Sequence, residues 1–245
     1  MIFTKLKRSL KDSIQNATAR NSSEILCSNI LLPLFYGRPY LPITNWAPSF
    51  KTLSHLLNEI IINKRTAFIE FGSGVSTILV ARLFAQNKIE SHFFSVDDNA
   101  DWIEIQRNSL QKEGLERFVS FIHAPLESVT FSNINAVCWY DSKKIQESIG
   151  TTQFDLMFVD GPKGDTPFAR YGAIPFLTNN ISKNYCVLLD DTTRKDEQHI
   201  LRMWKDELQA DTINFYGTHG SLYCGDHFES EATDSKTKKI LNNPI

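Results

Sequence analysis

Short apolar runs that stop on glycine or aspartate recur through the middle of this chain, separated by segments whose apolar residues return at helical spacing. FIEF (68–71), SHFFSV (91–96), FVSFIHA (118–124), FDLMFVD (154–160) and YCVLLDD (185–191) have the length and near-continuous hydrophobicity of strands buried on both faces. The intervening periodicity predicts helices over about 49–62, 75–86, 100–113, 168–180 and 195–208. Strand and helix alternating in this way predict an α/β fold, a mostly parallel sheet covered by helices on both faces. TINFYG (212–217) and SLYC (221–224) lie close together among Gly217, Gly220 and Gly225, which predicts a terminal antiparallel hairpin.

The ends of the chain read differently. In MIFTKLKRSLKDSIQ, Ile2, Phe3, Leu6, Leu10 and Ile14 fall on one helical face with basic residues around it. Such a helix is expected to pack on its own domain or on a second copy in a homodimer, ahead of lying on a membrane. Pro33, Pro39, Pro42 and Pro48 then prevent one long helix. The pattern divides the chain into a cap over 1–50, an α/β domain over 51–228 and a polar tail over 229–245.

Composition narrows the classes. A length of 245 residues suits one α/β domain with additions. The formal net charge of −2 gives no electrostatic footprint for nucleic acid. Cys27, Cys138, Cys186 and Cys224 are widely spaced and form no CxxC, which suggests neither a zinc knuckle nor a disulfide framework and fits a reducing, cytoplasmic setting. No window approaches the roughly 20 apolar residues of a membrane span.

Ligands of open α/β sheets bind beyond the carboxyl ends of the strands, so those ends carry the candidate chemistry. The first reads Glu70-Phe71-Gly72-Ser73-Gly74, where glycines admit close approach of another molecule to the backbone. The second ends on Asp97 and Asp98, about 25 residues after the turn, where a carboxylate accepts from ribose hydroxyls. A dinucleotide-dependent oxidoreductase would need G-x-G-x-x-G, and Thr77 stands where the third glycine belongs. Glu70 would also repel a pyrophosphate. A cofactor with a positive sulfonium and no phosphate, S-adenosylmethionine, suits these charges better.

From about Trp46 to Cys224 the chain resembles the class I S-adenosylmethionine-dependent methyltransferases: the glycine turn matches the first motif, Asp97 the ribose acid and FDLMFVDGP the fourth-strand motif. The resemblance implies a Rossmann-like seven-stranded sheet of order 3-2-1-4-5-7-6 with the last strand antiparallel. It implies cofactor contacts from Glu70, Gly72, Ser73, Gly74, Asp97 and Asp160, with Asp98 and His123 on the adenine side. Asp160, Lys163 three residues on, and Asp190-Asp191 also resemble the metal-dependent catechol-type O-methyltransferases. There the implied roles are Mg²⁺, or another divalent cation, on Asp160, Asp190 and Asp191, and catalysis by Asp160 and Lys163. Arg194 either neutralises the aspartates or binds an acidic substrate. Trp46, Trp139 and Tyr140 are candidates for an acceptor pocket, with the long connection 126–153. The expected activity is O-methylation of a small molecule or glycan. N-methylation, dinucleotide-dependent oxidoreduction and non-catalytic binding on the same fold are the alternatives.

Overall fold

A computed structural model describes residue 18 and residues 20–131 and 134–232. The amphipathic pattern that ends at Ile14, and residues 233–245, lie outside them. Residues 20–31 form helix α1, and α2 follows over Phe50–Ile62, started by Ser49, whose hydroxyl accepts from the Thr52 amide at 3.1 Å. Next come β1 (Phe68–Phe71), α3 (Val75–Asn87), β2 (Phe93–Asp97), α4 (Ala100–Glu113) and β3 (Val119–His123). The connection that follows holds β4 (Leu126–Phe131), β5 (Ile134–Tyr140) and α5 (Ser142–Ile149). The chain then forms β6 (Phe154–Val159), α6 (Ala173–Leu177), β7 (Ile181–Asp190), α7 (Lys195–Leu208), β8 (Thr212–Phe215) and β9 (His219–Cys224).

The main sheet runs β3-β2-β1-β6-β7-β9-β8, with β9 antiparallel to both of its neighbours and the other pairs parallel. Setting aside the separate β4-β5 ribbon, this is the expected order 3-2-1-4-5-7-6. Side chains alternate across the pleat, so adjacent strand residues feed opposite layers. Phe68, Leu156, Phe158 and Leu188 join Leu53, Leu56, Ile78 and Phe84 of α2 and α3, while Ile69, Phe71, Met157 and Val187 join Trp139, Ile200 and Trp204 on the other face. Register places Phe71 opposite both Val96 and Val159, so the turns after β1, β2 and β6 emerge side by side.

Three expectations change. The connection 126–153 is a hairpin and a helix; β4 is mostly exposed, so it lacks the continuous apolar run that marks the buried strands. The helix expected over 168–180 shrinks to Ala173–Leu177 and a 3₁₀ turn, because Phe168 adopts left-handed backbone (φ 61°) and cannot begin a helix. Trp139 and Tyr140 do not line a pocket. Both are buried, Trp139 stacks on Phe176 and lies against Phe71, and a β-carbon on Gly172 would come within 2.4 Å of its indole.

The cap and the end of the domain are tied in by buried polar contacts. Arg82 on α3 donates to the carbonyls of Leu34 (3.0 Å) and Pro39 (3.1 Å) and pairs with Glu113 at 2.6 Å. Residues assigned to the polar tail begin packed: Ser230 and Glu231 are buried, Ser230 donating to Glu59 at 2.6 Å and Glu231 pairing with Lys51 at 3.6 Å. Lys51 also donates to the Tyr216 carbonyl at 2.8 Å, and His55 bonds His219 at 2.7 Å and Tyr223 at 2.9 Å. Among the described residues no helix is long and apolar enough to cross a membrane, and the four cysteines are unpaired.

Candidate active site

The first strand turn is built by close approach of backbone to backbone. The Phe71 carbonyl accepts from the amides of both Asp160 (2.9 Å) and Gly161 (2.7 Å), which clamps the turns after β1 and β6 together. Gly72 is left-handed (φ +93°), and a β-carbon there would meet the Gly161 nitrogen at 2.9 Å and the Asp160 carbonyl carbon at 3.1 Å. Gly74, which begins α3, is extended, and a β-carbon on it would meet nothing within 4 Å. One glycine is therefore required by packing, and the other leaves a space open at the helix start.

Glu70 lies beneath this turn. It is fully buried and accepts from the hydroxyls of Ser76 (2.8 Å), Ser95 (2.7 Å) and Thr77. Thr77 Oγ1 also receives the Gly74 amide at 2.9 Å, so the threonine in place of a third glycine locks the turn onto the helix. Burial pushes the Glu70 carboxyl up to about 7 against the pull of its hydroxyl partners. Glu70 thus sits behind the turn and holds its shape, whereas the resemblance implied a direct cofactor contact.

Asp97 borders the open space. Its Oδ2 accepts from the amide and the hydroxyl of Ser73, both at 2.9 Å, and Oδ1 from the Asn99 amide at 2.9 Å. Burial raises its pKa. The Trp102 indole donates to the Ser73 carbonyl at 2.8 Å and braces the same loop. Asp98 and His123 are exposed along this rim, where His123 Nε2 contacts the Asp98 carbonyl at 3.1 Å and His123 stands opposite Asp97 in register. Ser73, Asp97, Asp98 and His123 are therefore brought together.

Asp160, Asp190 and Asp191 also converge, with a carboxylate oxygen from each within 4.8 Å of the others. Their oxygens have the chemistry of a hard-cation site. The position among them is taken by Arg170, only 4% exposed. Its Nη2 lies 3.1 Å from Asp160 Oδ1 and 3.0 Å from Asp191 Oδ2, while Nη1 donates to the Asp190 carbonyl at 3.2 Å and Nε to the Pro162 carbonyl at 3.4 Å. Arg194 adds a second cation on Asp191 Oδ2 at 2.7 Å, and Thr52 donates to Asp190 Oδ1 at 2.9 Å. As arranged, a guanidinium rather than an open space stands between the Asp160 and Asp191 carboxylates. Burial, followed by the charge of Asp190, still holds Asp160 well above the usual carboxylate range. Burial and Asp191 push Asp190 up to about 6. Burial opposes the Arg170 charge, but the aspartates outweigh it and its pKa is raised.

Lys163 is not gathered into this cluster. It is exposed, with its ammonium 5.2 Å from the ring centre of Trp46, which is itself 68% exposed. Sequence reading missed Arg170, Thr52 and Trp102. Nothing in the linear pattern separates Arg170 from other arginines, since its partners come from two separate turns, after β6 and after β7.

The space above Gly74, the hydroxyl-seeking Asp97 and the lack of a basic residue at the turn fit S-adenosylmethionine and suit a phosphate poorly. The sequence matches no protein-family model and no curated protein. Solved structures do match. The methyltransferase PaMTH1 of Podospora anserina, bound to S-adenosylhomocysteine, superposes with a TM-score of 0.55 at 13% identity, over 89% of this chain and 96% of that one. An O-methyltransferase from Bacillus cereus, also with S-adenosylhomocysteine, gives 0.50 at 13% identity, over 84% and 91%. Strand order, the antiparallel last strand and these superpositions together show that this chain has the class I S-adenosylmethionine-dependent methyltransferase fold.

Proposed function

We propose that the chain transfers a methyl group from S-adenosylmethionine to an oxygen of a small molecule or glycan. The observation that carries this reading is the cradle formed by Ser73, Gly74 and Asp97, open above Gly74 and supported from behind by Glu70. The two solved neighbours with S-adenosylhomocysteine bound support it, one of them an O-methyltransferase.

When bound, the cofactor would supply an electrophilic methyl on a sulfonium, with the neutral thioether as leaving group. The chain's own residues bind and orient. Asp97 accepts from the ribose hydroxyls, Gly74 gives the cofactor room, and the clamp on the Phe71 carbonyl fixes the turn after β6 beside it. Asp160 stands on that turn with one oxygen on Arg170, and to it falls the proton that the acceptor hydroxyl loses. Lys163 and Trp46 form an outer rim through which the cap reaches the same turn, a place for acceptor recognition. The unpaired cysteines support a reducing compartment such as the cytoplasm.

Calorimetric titration with S-adenosylmethionine and S-adenosylhomocysteine tests the reading. Wild type is expected to bind both; Asp97→Asn, whose amide nitrogen must face a backbone N–H, is expected to weaken binding by at least about tenfold while lowering the melting temperature only by the cost of one lost hydrogen bond. Absence of binding to wild type would remove the proposed activity.

A further inference from the structure

The cluster of Asp160, Asp190 and Asp191 holds a cation that belongs to the chain. We propose that Arg170 takes the place of a divalent metal at these strand ends, so that the protein neither needs nor binds Mg²⁺ there. The consequence for catalysis rests on the methyltransferase reading; the claim about the cation does not.

The geometry carries the inference. A guanidinium on a surface salt bridge sweeps between partners, but Arg170 is 4% exposed and held at all three of its nitrogens. The two backbone carbonyls, Pro162 and Asp190, fix the plane of the group, and that plane directs Nη2 to the two carboxylates. Nη2 is within 3.1 Å of an oxygen from each, which is where an ion bridging them would sit. Two further contacts crowd the acids: Asp190 Oδ1 accepts from Thr52, and Asp191 Oδ2 accepts from Arg194 as well as from Arg170. Arg194 is in turn anchored to the buried Glu197 at 2.9 Å, so neither arginine is a loose surface chain. A divalent ion between Asp160 and Asp191 would meet a buried positive charge held by two backbone carbonyls. Arg170 is in this sense a positioning residue, which holds Asp160 and Asp191 at their strand ends and supplies constant neutralisation whatever the metal concentration.

The test is metal uptake by the full-length protein. Mn²⁺ is added and the free ion followed by its paramagnetic resonance signal, with melting temperatures in EDTA, Mg²⁺ and Mn²⁺ and a calorimetric S-adenosylmethionine titration on the same samples. Wild type is expected to leave Mn²⁺ free and to melt at one temperature in all three buffers. Arg170→Met exposes three acids to one another, and is expected to melt lower in EDTA, to take up about one equivalent of Mn²⁺ and to regain part of the loss with it. Arg170→Lys keeps a charge in place and is expected to stay indifferent to Mn²⁺, a rescue that packing alone would not give. Wild-type uptake of one equivalent, lost in Asp190→Asn, would overturn the proposal, as would a folded Arg170→Met that takes up none. Should Arg170→Met fail to fold, wild type and Arg170→Lys decide. Failure of S-adenosylmethionine to bind would strike the proposed function and leave the metal result standing.

Discussion

Two glycines separated by one residue should respond to alanine in opposite ways. At position 72 the backbone is left-handed, which costs an L-residue about 1–2 kcal/mol. The added β-carbon also meets main-chain atoms of Gly161 and Asp160 at 2.9 and 3.1 Å, inside a clamp that cannot swing aside, and overpacking of this kind costs about 1–3 kcal/mol. The sum for Gly72→Ala is roughly 2–5 kcal/mol, which for a chain of this size lowers the melting temperature by roughly 5–15 °C. At position 74 the backbone is extended and the β-carbon touches nothing, so Gly74→Ala loses only the small preference for glycine at a helix start, under about 1 kcal/mol. Its methyl group instead enters the space assigned to the cofactor, and affinity for S-adenosylmethionine should fall more than about tenfold. Differential scanning calorimetry and binding titration on both variants separate the two effects. A Gly72→Ala protein that melts like wild type, or a Gly74→Ala protein that binds S-adenosylmethionine like wild type, would refute the assignment of one glycine to packing and the other to the ligand.

Other outcomes are equally specific. Because the Glu70 carboxyl moves from 4.5 up to about 7 on folding, the folded state holds a proton that the unfolded state has already lost between those values. Its contribution is complete below pH 4.5 and is lost as pH rises through about 7, by roughly 3 kcal/mol at most. Glu70→Gln should flatten that decline in urea midpoints taken between about pH 5 and pH 8, and parallel profiles for the two proteins would count against it. Arg82→Met leaves the buried Glu113 carboxylate only its 4.0 Å pair with Arg38 and frees the Leu34 and Pro39 carbonyls, so it should cost up to the about 3–5 kcal/mol of a broken buried pair and open the 35–48 segment to limited proteolysis. Trp46→Ala removes an exposed ring and should leave both the melting temperature and S-adenosylmethionine affinity unchanged while raising KM for the acceptor; a drop in cofactor affinity would place Trp46 elsewhere in the site.

The parts of the fold legible in the sequence are those set by local rules. FIEF and FDLMFVD read as central strands because both of their faces are buried, and Gly72 with Asp97 could be placed because each sits where a strand ends. The β4-β5 ribbon escaped because one of its strands faces solvent. Trp139 escaped for the opposite reason: its burial depends on a hairpin folding back onto Phe71 and Gly172, which no local periodicity encodes. The acid cluster was visible as residue types at strand ends, whereas its countercharge was not, because Arg170 lies in a stretch whose spacing reads as a helix over 168–180 but which turns before α6 and so brings it to Asp191, 21 residues away. Charge placed across space by loops is the kind of information that a linear pattern withholds.

Helix α2 has a consequence for the order in which the molecule is made. Its inward polar side chains have their partners far along the chain: Thr52 with Asp190, Lys51 with Tyr216 and Glu231, His55 with His219 and Tyr223, Glu59 with Ser230. The sequence separations run from 138 residues for Thr52 and Asp190 to 180 for Lys51 and Glu231. During synthesis from the N-terminus α2 emerges early, yet the strand and tail that satisfy it emerge last. Until then its lysine and histidine have to stay in water, which keeps the helix from settling on the half-built sheet, although Glu59 already has Arg65 beside it. Final closure of this domain is therefore timed to the arrival of residues 219–231 at the ribosome exit.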